Sequence, residues 1–215
     1  MQVLCNSVLK VAITWLWLIV SLLLVNKMEI LRKKPYLMAY VEIVSVGLLP
    51  LVFTSICRDD LMLYGIWSKG LANSFLLSGL FIAAYFTIRF LTKGQLINSL
   101  LPPSPHLGFP QNIWYVTLGV FAWGPLEVFF FIWLVVNTDR IFPGGNMIVS
   151  WGLIVTVVLF VLLHMLITRS LHNALDVGIT FLVLGLVCKY TKNSIGPMIA
   201  WTLINQQIWF MVKML

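Results

Sequence analysis

Charge is what this sequence has least of: only 10% of its 215 residues are Asp, Glu, Lys or Arg, while 60% are hydrophobic. Soluble domains carry roughly 25% charged residues and cannot hide so large an apolar share, which excludes a water-soluble enzyme or signalling domain. Cysteine is also scarce, and Cys5, Cys57 and Cys188 form neither a C-x-x-C pair nor an even set. A disulfide scaffold and a cysteine-rich metal module are therefore excluded, and free, unreactive thiols are expected. No internal repeat is visible, and no polar stretch is long enough to make a separate soluble domain.

What is present is a series of apolar runs, at about 8–25, 36–57, 71–91, 113–136, 149–168, 174–190 and 196–212, and the chain as a whole has a mean hydropathy of +0.99. A helix needs about 20 apolar residues to cross the ~30 Å hydrocarbon core, so the series predicts an all-α, polytopic transmembrane helix bundle of about seven spans. The first run has only Lys10 as a weak basic n-region and no small-residue cleavage site before Lys27, so it reads as a retained span. Residues 1–92 then form an N-terminal three-helix membrane segment. Residues 93–112 form a linker with Pro102, Pro103, Pro105 and Pro110, and residues 113–215 form a four-helix core. Arg58 to Gly70 mixes Asp59 and Asp60 with Leu61, Tyr64 and Trp67, a pattern suited to lying at the membrane interface without crossing.

The net charge is +7, but the basic residues are scattered at span ends without forming a stripe, which argues against a nucleic-acid partner. They read as topology signals. The densest group, Lys27, Arg32, Lys33 and Lys34, follows the first run and belongs inside by the positive-inside rule, so the N-terminus is expected outside and the chain in the plasma membrane.

Among the ionisable residues of the apolar runs, four positions need explaining: Glu42, Glu127, His164 and Asp176. Charged groups at mid-membrane cost roughly 2.5–3.5 kcal/mol on insertion scales, so such residues usually face the bundle interior. Glu42 and Asp176 lie near span ends, where a carboxylate reaches headgroups or water, and are read as structural. Glu127 lies about 21 Å into its span at 1.5 Å per residue, with no interfacial escape. Trp123-Gly124-Pro125 precedes it, and Pro125 cannot bond the Phe121 carbonyl, so a kink and a polar cavity are expected there. His164 sits in FVLLHML, and Asn205, Gln206 and Gln207 sit in WTLINQQIWF, where polar side chains commonly bond between helices.

Taken in order, these segments resemble the CAAX-processing and bacteriocin-processing (CPBP) family of intramembrane endopeptidases, whose pattern is E-E-x-x-x-R, F-x-x-x-H and H-x-x-x-N or D. Glu127 matches the first glutamate, with Val128 and Ile132 in place of the second glutamate and the arginine. Phe160 to His164 match the second motif. Trp201 to Asn205 match the third, with Trp201 in place of its histidine. The resemblance covers about Trp114 to Trp209. It implies peptide-bond hydrolysis within the bilayer, with Glu127 activating a water, His164 as its partner and Asn205 donating to the oxyanion. Trp201, Phe160 and Phe131 are then expected to contact substrate.

The implied partners are the lipid bilayer and a membrane-protein or lipidated-peptide substrate. A catalytic metal needs three protein ligands, and with Trp201 replacing the histidine only Glu127 and His164 remain at family positions, so no metal or other cofactor is expected. The missing second glutamate, arginine and histidine also suit a noncatalytic scaffold that holds a partner, in which Trp201 would fill the site. A small transporter is a weaker alternative, since mid-membrane carboxylates also relay protons.

Overall fold

The computed structural model describes residues 5–25, 27–96, 107–146 and 148–213; half of the proline-rich linker, 97–106, lies outside the described residues. The first helix, α1 (Ser7–Val25), is a run of Leu, Ile, Val and Trp unbroken by Gly or Pro. In lipid its backbone must satisfy its own hydrogen bonds, so the helix is the only stable state for such a run. Lys10, Thr14, Leu18 and Ser21 form one buried stripe, while Leu16, Leu23 and Leu24 face outward. The polar residues point inward and the apolar ones toward lipid, as a bilayer demands.

A short α2 (Glu29–Lys33) follows on the opposite membrane face. The second span, Met38–Ile56, is α3 (Met38–Glu42), a π-helical segment (Ile43–Gly47) and α4 (Leu48–Ile56), with Pro50 just beyond the π segment. The ends of α1 and α4 meet on one face, where Cys5 and Cys57 form a disulfide across 52 residues. This corrects the expectation of free thiols. Spacing along the chain does not reveal which helix ends share a membrane face. Cys188 is free and buried.

On the disulfide face, Lys10 is 1% exposed and forms an ion pair with Asp59 Oδ2 at 2.8 Å, and the Tyr64 hydroxyl donates to the same oxygen at 2.6 Å. Burial pushes the Asp59 carboxyl up, but its bonds to Lys10 and Tyr64, with the nearby charges of Lys10 and Arg140, outweigh this and hold it below its ordinary range. The segment from Arg58 to Gly70 does not cross. It turns through a 3₁₀ helix (Leu61–Tyr64) and docks on the loop before the final helices. There Ser194 N–H donates to the Gly65 carbonyl at 2.9 Å and Trp67 Nε1 to the Lys192 carbonyl at 2.6 Å. Gly65 has φ +75°, and a Cβ there would lie 2.7 Å from Ser194 N, so the close approach requires glycine.

The remaining spans are α5 (Leu71–Lys93), the composite Gln111–Ile141, α8 (Trp151–Thr168) and α9 (Leu171–Thr191). The composite contains α6 (Gln111–Phe121), a second π-helical segment (Ala122–Leu126) and α7 (Glu127–Ile141). Six helical stretches among the described residues are thus long and apolar enough to cross a bilayer. The seventh predicted span is broken: α10 (Ile195–Ile204) and α11 (Gln206–Val212) meet at Asn205, whose backbone is extended at φ −69°, ψ 117°. Asparagine competes for helical backbone bonds with its own side chain, and here that side chain turns inward.

The central element is α7, in which every residue from Glu127 to Val135 is buried. Around it pack α1, α8, α9 and α10, and α10 lies along α5, so the N-terminal and C-terminal groups of helices form one bundle. Trp133 is fully buried, donates to Thr54 Oγ1 at 3.2 Å and stacks on Phe53.

Candidate functional site

The site begins with two breaks in helical geometry. Pro125 lacks an N–H, so the backbone around it cannot close a regular α-helical ladder and widens into the π segment that ends directly before Glu127. Pro50 stands beyond the other π segment, which starts directly after Glu42. The two segments pack together: a Cβ on Gly47 would lie 2.6 Å from Leu126 Cδ2. One glutamate precedes one break and the other follows the second.

Gly124 brings in the third wall, since a Cβ on it would collide with Thr202 Oγ1 of α10. This close approach delivers Trp201 and Asn205 to Glu127. Trp201 Nε1 donates to Glu127 Oε2 at 2.8 Å, and both residues are 7% exposed. Phe181 holds the indole in place with ring centroids 4.7 Å apart. Asn205 Nδ2 donates to the Trp123 carbonyl at 2.9 Å and, at the longer distance of 3.5 Å, to Glu127 Oε2. No described residue donates to Glu127 Oε1.

A cavity of about 460 Å³ lies beside this group. Glu127, Trp201 and Asn205 line one part of it. Glu42, His164 and Asp176 line it too, with Thr168 at the end of α8 and Asn173 at the start of α9. The cavity therefore runs from mid-depth toward the face that carries α2. His164 is half-buried, and its Nδ1 lies 2.9 Å from the Phe160 carbonyl. A carbonyl only accepts, so Nδ1 bears the proton in that bond and Nε2 is left as the accepting nitrogen.

The structure thus brings Glu127, His164, Asn205, Trp201 and Phe160 to one cavity. Phe131 stands apart: it is fully buried, packed on Phe160 and Phe181, and is not among the lining residues. Glu42 and Asp176, read from sequence as interfacial, both line the cavity. A signal for Glu42 was present in Ser45, Gly47 and Pro50, small and helix-breaking residues following a carboxylate much as Gly124 and Pro125 precede Glu127. Among the described residues no three His, Cys, Asp or Glu side chains converge to hold a metal ion.

The fold and its spans define a polytopic integral membrane protein with an acidic cavity inside the bundle. No protein-family model, curated protein or solved structure matches the chain.

Proposed function

We propose that the chain is an intramembrane endopeptidase of the CPBP type, hydrolysing a peptide bond of a membrane-protein or lipidated-peptide substrate. The observation that carries this reading is that Glu127, His164 and Asn205, far apart in sequence, line one cavity within the bundle. Glu127 uses Oε1 to take a proton from water, and the water oxygen attacks the scissile carbonyl. His164 Nε2 accepts or returns a proton across the cavity. Asn205 turns the amide N–H that reaches Glu127 Oε2 at 3.5 Å onto the substrate carbonyl oxygen as the water's attack makes it an oxyanion. Trp201 fixes the carboxylate by its bond to Oε2.

The test compares wild type, Glu127→Gln and His164→Ala at equal protein level, by mass spectrometry of new termini in the membrane proteome of cells expressing each. Termini present with wild type and lost in both variants are expected. Identical profiles would remove the peptidase reading.

One observation favours a second reading, a noncatalytic protein that holds a partner in the same cavity: the Trp201 indole occupies one oxygen of Glu127. Under that reading both variants keep the wild-type termini and lose a co-purifying partner.

For orientation, we propose that the N-terminus lies outside the plasma membrane. Disulfides persist in oxidising compartments, which supports placing the Cys5–Cys57 face outward, and Lys27, Arg32, Lys33 and Lys34 then fall inside. After reduction, an impermeant maleimide should label Cys5 and Cys57 in intact cells. Labelling only after lysis would reverse the assignment.

A further inference from the structure

We infer that Glu42 is a second acid–base carboxyl of this site, giving a proton to the leaving amine while Glu127 takes one from the attacking water. The inference rests on the peptidase reading above. It assigns chemistry to a residue outside the segment that carries the family resemblance, on a different span.

Four observations carry it. Glu42 lines the same cavity as Glu127. The backbone aims both there: Glu42 directly precedes one π segment, Glu127 directly follows the other, and the segments touch where Gly47 meets Leu126. Glu42 also faces inward, because Tyr40, Val44 and Leu48 are the exposed positions of its helix, whereas Ala39, Ser45 and Val46 are buried. Finally, no described residue donates a hydrogen bond to its carboxyl. A carboxyl kept inside a bundle for architecture is normally bonded by protein donors, as Asp59 is by Lys10 and Tyr64. Glu42 has the cavity instead.

The step balances with one water. Glu127 removes a proton as the water oxygen bonds to the carbonyl carbon. The tetrahedral intermediate then collapses, the C–N bond breaks, and the Glu42 proton passes to the nitrogen. The products are one carboxyl and one amine, and the proton held on Glu127 returns to Glu42 through cavity water. Two carboxyls with divided acid and base roles are a familiar solution for hydrolysis. Residue 128, next to Glu127 in the sequence, is Val, so a second carboxyl comes to this cavity from another span, as Glu42 does.

The same assay of new termini separates the outcomes. Glu42→Gln keeps shape and hydrogen-bonding capacity but loses the proton. It should reduce the wild-type termini by about 100-fold, the lower end of general-acid effects, at unchanged abundance and unfolding temperature. Glu42→Asp should retain a measurable part of the cleavage. The double variant with Glu127→Gln should lose no more than Glu127→Gln alone, as residues acting as one unit do. Wild-type cleavage in Glu42→Gln, with none in Glu127→Gln, would overturn this role and leave the peptidase reading standing. Cleavage unaffected by Glu127→Gln would overturn both. Glu42→Asp also covers an amide variant that does not fold: if it is abundant yet cleaves nothing, the assignment fails.

Discussion

Replacing Trp201 by Phe removes the indole N–H that reaches Glu127 Oε2 at 2.8 Å, while an aromatic ring stays against Phe181. Replacing Glu127 by Met removes the acceptor from the other side. A hydrogen bond between neutral groups contributes about 0.5–1.5 kcal/mol, and one to a charged acceptor about 1.5–3 kcal/mol. The Trp→Phe change also removes ring volume from a buried position, but that loss occurs whether residue 127 is Glu or Met, so a double-mutant cycle cancels it. The four unfolding free energies can be read by far-UV circular dichroism in mixed micelles titrated with a denaturing detergent. A coupling energy of at least 0.5 kcal/mol is expected, and a value above about 1.5 kcal/mol would further identify a charged Glu127. Additivity within about 0.3 kcal/mol would refute the bond and, with it, the view that Trp201 orients the carboxylate.

Asp59→Asn should destabilise the fold by about 3–5 kcal/mol, because Lys10 is left buried without its carboxylate, and Lys10→Met with Asp59→Leu should recover most of the loss in the same unfolding assay. Since the folded Asp59 carboxyl is held below its ordinary range, its contribution is present above about pH 4 and is lost as pH falls through the folded value; thermal midpoints of Asp59→Asn should therefore lose part of the wild-type acid dependence. Gly124→Ala drives a methyl group into Thr202 Oγ1 and should cost about 1–3 kcal/mol while moving α10 off Glu127, with Thr202→Ala as the second-site change that restores both stability and function.

The spans were legible in the sequence because each is a local property: α1, α5, α8 and α9 begin and end within three residues of the apolar runs. The break before Glu127 was legible for the same reason, since a proline removes its own N–H whatever surrounds it. What escaped depends on which helices meet. The partner of Lys10 lies 49 residues away, and the partner of Cys5 lies 52 away, both across two crossings. Glu42 looked like a carboxylate near a span end because depth was counted from an apolar boundary, while its surroundings are set by α7 and by the cavity. Asn205 lies beside Glu127, but the break it makes between α10 and α11 was hidden by unbroken hydrophobicity on both sides.

The Cys5–Cys57 bond has a consequence for how the cavity moves. It fixes an even number of membrane crossings between its ends, here two, and closes the chain from Cys5 to Cys57 into a covalent hairpin with α2 at its apex. Leu18 and Leu22 on one arm and Glu42 and Ser45 on the other line the cavity, so one whole wall belongs to this hairpin. The arms are joined at both ends, by the disulfide on one face and the chain itself on the other. That wall is therefore tied at both membrane faces, and a wider opening of the cavity beside it has to form along the edges of the hairpin, not between its arms.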